Sequence, residues 1–442
     1  MRLSHSQRLI RHIQFSAVCA FLALTVSSQE AAAVPAFADQ TGQPCSTCHV
    51  GGFGPQLTPF GRQFKLEGYT ANIGKFTVPV SAMAVASYVH SQKDQAGPPA
   101  PGFDTNDNVG FDQGSLFLAG GVGDHFGGFL QVTYDGIGHV WGWDNLDARA
   151  ITHETIGGSD VLLGLTVNNS PTVQDTWNTL PAWGFPFTDT DLAPHPAAGT
   201  VISGALAQAV LGVSAYALFD SQIYTEAGLY WSPSRGFLRS LGVDRDESGD
   251  LGSPAPYLRA AYQKDDGQQN YEIGAFVFLP ELHPGGDSSA GTDDYADLGI
   301  DASYQFIEPK GDVYAVNFRY THENQDLNAS RVLAGTNANN TLQELHLDGS
   351  YYWHNQVGFT VSPFTIWGSS DAVLYGTPSG SPDSNGVMLQ VDYTPFGEGD
   401  TPLGNRLNLR VGAQYTIYGE FDGDSHHASD NNTLRLFIWT AF

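Results

Sequence analysis

The chain has 442 residues, with 51 glycines and 12% aromatics, and only 15% of its residues are charged. A formal net charge of −27 argues against nucleic-acid binding, which needs a basic surface to displace counterions. Abundant aromatics with few charges also argue against disorder, leaving a large β-rich protein with acidic loops.

Residues 1–33 read as an export signal. Arg2, Arg8 and Arg11 supply a positive start, Phe15 to Val26 is mostly apolar, and Ala31-Ala32-Ala33 ends in small residues suited to cleavage. The apolar run is too short to span a bilayer as a helix, and no later segment approaches the roughly 18 apolar residues a spanning helix needs. Cys19 lies in this segment and leaves with it, so the mature chain keeps Cys45 and Cys48 alone.

Residues 34–76 form a small unit around Cys45-Ser46-Thr47-Cys48-His49. Two thiols three positions apart, followed by histidine, are the attachment pattern of a c-type haem. Each cysteine adds across one vinyl group, and His49 then lies under the iron as proximal ligand. A redox CxxC pair does not need the histidine, and a zinc site needs a further ligand nearby. A small disulfide or a chance spacing is the plain alternative. After a glycine-rich loop, Thr58 as N-cap, Pro59 at the first position and Gly68 at the end predict a short helix. Phe60 and Phe64, four apart, share a face that can cover a haem, and Arg62 and Lys65 can meet its propionates. An ordinary amphipathic helix explains the same spacing. A unit of this size hardly buries a haem alone, so another surface is expected around it.

Residues 77–442 contain sixteen candidate strands, most with alternating polar and apolar positions. They fall at 77–90, 110–122, 125–135, 144–156, 159–168, 204–219, 222–232, 255–264, 269–279, 295–307, 311–323, 341–353, 356–368, 385–394, 404–418 and 431–442. Connections after even-numbered strands are mostly short and those after odd-numbered strands mostly long. An even strand count with loops sorted this way is the plan of an outer-membrane barrel. In the last strand Leu434, Leu436, Ile438, Thr440 and Phe442 are expected to face lipid and Arg435 the lumen. In the strand before it Leu409, Val411 and Ile417 face outward, with Asn408, Arg410 and Gln414 inward. The lumen is expected to be polar, with Arg149, Arg259 and Arg319 on polar faces. The expected class is therefore all-β: an outer-membrane antiparallel barrel of about sixteen strands, with a small α-helical c-type haem domain as lumen plug.

The signal segment, the single CxxCH, the GRxFK helix and the barrel together resemble the fused outer-membrane monohaem cytochrome c–porins of iron-oxidising bacteria. The resemblance is closest over 36–69, "AFADQTGQPCSTCHVGGFGPQLTPFGRQFKLEGY", and looser over the barrel, including 166–187. Cys45, Cys48 and His49 match the family's haem motif, and Gly61, Arg62, Phe64 and Lys65 its helix. The resemblance implies one covalent haem c, in the barrel or at its periplasmic side, carrying electrons inward from extracellular Fe(II). The expected activity is that of an oxidoreductase, with a soluble periplasmic cytochrome or copper protein as acceptor. A haem-plugged diffusion porin, or a conduit for another extracellular donor or acceptor, is the alternative. For the distal ligand, Met83 is the candidate on the first strand, ahead of Met388, with His153 and His346 as further choices. The third long loop, with Trp177, Trp183, Phe185 and Phe187, can form a lid in the lumen or an aromatic belt at the interface. Asp422, Asp424, His426 and His427 can greet a cation or simply hydrate, and 243–250 partly matches a calcium loop.

Overall fold

The structure is a computed structural model that describes residues 35–74, 79–243, 250–399, 401 and 407–442. The export signal and most of the calcium-like run lie outside the described residues.

Sixteen antiparallel strands form the wall among the described residues. They are β1 (Val80–Ser91), β2 (Asn108–Val122), β3 (Phe126–Asp135), β4 (Val140–Ile156), β5 (Ser159–Asn168), β6 (Leu211–Phe219), β7 (Ile223–Trp231) and β8 (Ala255–Asp265). The second half comprises β9 (Gln269–Phe278), β10 (Asp293–Ile307), β11 (Val313–Asp326), β12 (Asn339–Trp353), β13 (Val357–Gly368), β14 (Ser384–Tyr393), β15 (Asn408–Glu420) and β16 (Thr433–Ala441). Two further short pieces, Asp250–Leu251 and Glu281–His283, pair with each other in the long loops. The sheet closes on itself, since β1 pairs with β16 from Met83 opposite Ala441 to Ser91 opposite Thr433. Closure leaves no edge strand, the condition for a sheet to cross a bilayer.

Alternation along the strands makes two different surfaces. Leu116, Leu118, Ile273, Ile300, Val361 and Ile438 stand exposed on the outer face. Their neighbours in sequence point inward, as with Arg435, Phe437 and Trp439 of β16, all buried. An outer surface this apolar belongs against hydrocarbon, and short turns at one end with long loops at the other complete a porin-like, outer-membrane plan. No helix among the described residues is long and apolar enough to cross a membrane.

Two departures from the sequence reading concern the interior. Residues 204–210 do not begin β6 but finish the long loop 169–210, which turns into the lumen. Its Leu180, Val201, Ile202, Leu206 and Val210 pack against Tyr230, Tyr257, Phe276 and Phe278 of β7–β9. The lumen is therefore polar in part only. Its β7–β9 side is an aromatic wall, because a loop with its own apolar residues needs an apolar partner inside the barrel.

Candidate functional site

The N-terminal unit sits in the short-turn mouth of the barrel. It contains α1 (Pro35–Thr41), the one-turn α2 (Cys45–Cys48) and α3 (Pro59–Leu66). As the sequence predicts, Thr58 caps α3: its hydroxyl accepts from the Gly61 amide at 3.3 Å and donates to the Thr47 carbonyl at 2.5 Å. The second bond ties the start of α3 to the CxxCH turn. Gly68, at φ +64°, ends the helix, and the Tyr69 amide returns to the Phe64 carbonyl at 2.9 Å. Gly61 lets α3 and α2 touch, because a Cβ there would lie 2.2 Å from the Cys48 carbonyl oxygen.

The wall holds this unit through its backbone. Asn355, in a short turn, accepts from the Gly51 amide at 3.0 Å, and the Asn408 side chain donates to the Gly52 carbonyl at 2.9 Å. Arg410 reaches in from β15 and donates to the carbonyls of Gly51, at 3.2 Å, and Phe53. Arg62 binds Asp265 at 2.5 Å and Gln305 at 2.8 Å and stacks 3.7 Å from the Trp177 ring. Lys65 donates all three of its ammonium bonds to the lumen loop, to the carbonyls of Val173 and Asp175 and to Asn178 Oδ1, at 2.6–2.7 Å. Burial and the neighbouring Arg149 push its pKa down to about 7, against the pull of Asp147, Asp175 and Glu226.

The loop is fixed at its far end as well. Successive amides of Thr200, Val201 and Ile202 donate to Glu344, Glu323 and Asp297 on β12, β11 and β10, at 2.5, 2.5 and 2.8 Å. The aromatics of this loop lie inside the barrel: Trp183 and Phe187 line the cavity described next, and Trp177 and Phe185 are buried. Trp177 is completely buried and bonds Gln263 at 2.9 Å.

Between plug, loop and the β1–β4 wall lies a cavity of about 420 Å³, with Cys45, Cys48 and His49 in its lining. The volume falls in the range of cofactor sites, and the lining is largely apolar and aromatic. Phe37, Phe64, Tyr69, Phe129 and Trp183 line it as a connected series of rings, with centroids 5.0–6.2 Å apart. Phe53 and Trp439, 4.5 Å apart, line it too.

The donor set fits a covalent haem. Cys45 and Cys48 are free thiols rather than a disulfide. Burial raises both pKa values, that of Cys48 to about 12 with Cys45 adding to it. A dithiol redox pair needs the opposite, a lowered pKa for the attacking sulfur. His49 is held to about 4 by burial and by Arg410, with a Gly54 backbone contact opposing, so the imidazole is neutral, as an iron ligand must be. Its Nδ1 is buried with no hydrogen-bond partner among the described residues. No group of three or more His, Cys, Asp or Glu is placed to hold a metal ion among those residues.

Other expected residues separate clearly. Phe64 and Lys65 line the cavity, whereas Phe60 is 41% exposed and outside it. Arg62 also lies outside, committed to Asp265 and Gln305, so its expected propionate role does not match its position. Helix geometry explains Arg62, which lies two positions before Phe64 and so on the other side of α3, whereas Phe60 shares the Phe64 face but stands one turn nearer the outer surface. Met83 lines the cavity, while Met388, His153 and His346 do not. His153 instead meets Glu67 at 2.8 Å. Arg149 is paired with Asp147 at 2.8 Å and Arg259 with Asp301 at 2.8 Å. Asp424 binds the exposed His427 at 2.9 Å, and Asp422 accepts from the Ala197 amide at the same distance. Alternation placed Asn408 inward, but sequence reasoning gave no holding role to it, to Asn355 or to the three loop-binding carboxylates, whose only signal is a polar residue on the inward face of a strand.

No protein-family profile and no curated protein matches the chain. Among solved structures, the outer-membrane channel DcaP of Acinetobacter baumannii is similar at 14% identity and a TM-score of 0.48, over 82% of this chain and 96% of that one. OmpF of Salmonella typhi, in complex with daunomycin, is similar at 12% and 0.48, over 82% and 97%. An anion-selective porin from Comamonas acidovorans follows at 10% and 0.45, over 83% and 98%.

Proposed function

We propose that the chain is an outer-membrane electron conduit between extracellular Fe(II) and a soluble periplasmic cytochrome or copper protein, and that Cys45, Cys48 and His49 hold a haem c. The observation that carries this reading is the filled lumen: the CxxCH unit and the loop 169–210 occupy it together and leave an aromatic-walled cavity between them. Electrons cross packed protein, whereas hydrated solutes need an open path.

When bound, haem c supplies a one-electron iron couple. The chain's own residues do the rest. Cys45 and Cys48 would fix such a group to α2, His49 would offer its iron a neutral imidazole nitrogen, and Met83, which lines the β1 side of the cavity, would offer a thioether. Phe64, Tyr69, Trp183 and Trp439 exclude water, which raises the preference for the less charged state of a buried centre. The lumen loop keeps Fe(II) and the Fe(III) product at the long-loop end, so transfer is outer-sphere.

One observation favours the second reading, a haem-plugged diffusion porin. Arg319, His346, Ser350 and Met388 face the lumen from β11, β12 and β14 yet are only half-buried, so this side of the interior is less tightly filled. Proteoliposomes with entrapped oxidised cytochrome c separate the two. A conduit reduces the entrapped protein when Fe(II) is added outside and passes almost no ions. A porin conducts ions and small sugars, and reduction then follows leakage of iron.

A further inference from the structure

The strongest unused feature is the short-turn mouth. Exposed carboxylates from its separate turns ring it: Asp124, Asp160, Asp220, Asp266 and Glu398. The exposed lysines at this end among the described residues are Lys264 and Lys310. Inside the ring, α3 leaves Phe60 41% exposed, while Phe64, one turn further along the same helix, is buried and lines the CxxCH cavity. One short helix thus carries an aromatic at the outer surface and another at the cofactor cavity. An exposed aromatic surrounded by like charges is the usual make-up of a protein contact: an apolar anchor with a polar rim.

We propose that this mouth is the docking face for a small soluble redox protein whose electron-exchange face is rimmed with lysine or arginine, with Phe60 as the apolar contact. The inference rests on the electron-conduit reading and adds the place of electron exit and the charge of the partner. Carboxylates around the mouth steer a basic partner from solution, and Phe60 gives it a desolvated contact on the helix nearest the cavity. The weak, salt-sensitive binding of such a rim suits a carrier that must leave after each electron.

The test uses the full-length haem-loaded protein in nanodiscs and mammalian cytochrome c, a lysine-rimmed probe, with affinity read by biolayer interferometry. Because the whole chain is acidic, position is the discriminating variable. The double reversal Asp124→Lys/Asp266→Lys at the short-turn mouth is compared with Asp294→Lys/Asp326→Lys at the long-loop end. The first pair is expected to weaken binding about tenfold in low salt and the second to leave it within about twofold. Phe60→Ala weakens it further without changing the salt dependence. Equal losses from both pairs, or none from the short-turn pair, overturn the proposal. These arms read binding alone, so a preparation that docks the probe at this mouth but is not reduced by Fe(II) refutes the conduit and spares the docking face.

Discussion

Gly61→Ala is the sharpest probe of how the CxxCH turn is built. Gly61 lies in the first turn of α3, and the added methyl would sit 2.2 Å from the Cys48 carbonyl oxygen, 3.0 Å from its carbon and 3.1 Å from its Cα. All three are backbone atoms, so no side chain can swing away. To reach ordinary contact, α3 and the CxxCH turn must part by about 1 Å, where Thr58 now ties them through 2.5 Å and 3.3 Å bonds. Overpacking of this kind costs about 1–3 kcal/mol, concentrated on the plug rather than the wall. The assay is haem content by pyridine haemochrome together with the thermal loss of the haem Soret circular dichroism. Gly61→Ala should lower haem content or melt the haem signal several degrees early, while the barrel's far-ultraviolet signal stays intact. Gly236→Ala, where a methyl meets nothing within 4 Å, serves as control. A Gly61→Ala protein with full haem and an unshifted melt would refute the α2–α3 packing described above.

Two more predictions bear on single side chains. Met83→Leu conserves volume, so the barrel should stay folded, but a thioether-ligated haem would lose its near-infrared sulfur–iron band and gain carbon monoxide binding; Met388→Leu should do neither. Lys65 has its pKa lowered to about 7 in the fold against 10.5 in the unfolded chain. Between those values the unfolded chain holds the proton that the folded one has released, so stability should rise with pH from about 7 to 10. In Lys65→Met that rise in the urea midpoint should be smaller, and an equal rise in both proteins would contradict the burial of Lys65.

The wall was legible in the sequence because each strand faces two solvents and so writes its period in polarity. Arg410, Gln414 and Arg435 fell inward and Ile417, Leu436 and Ile438 outward, as alternation requires. The stretch 204–210 misled for the same reason: its apolar residues serve the lumen, and period alone cannot tell a lumenal core from lipid. The cap of α3 by Thr58 was readable because it is local. The directions of Phe60 and Arg62 were not, since they depend on where α3 enters the barrel. Nor could spacing reveal that Glu344, Glu323 and Asp297 hold three consecutive loop amides, because those partners are roughly a hundred residues apart or more in sequence.

The most direct test of the conduit is stopped-flow absorbance of the oxidised, detergent-purified protein mixed with Fe(II). The account predicts rapid growth of the reduced α-band of a c-type haem at a rate proportional to Fe(II). A haem that dithionite reduces but Fe(II) leaves oxidised would contradict iron as donor.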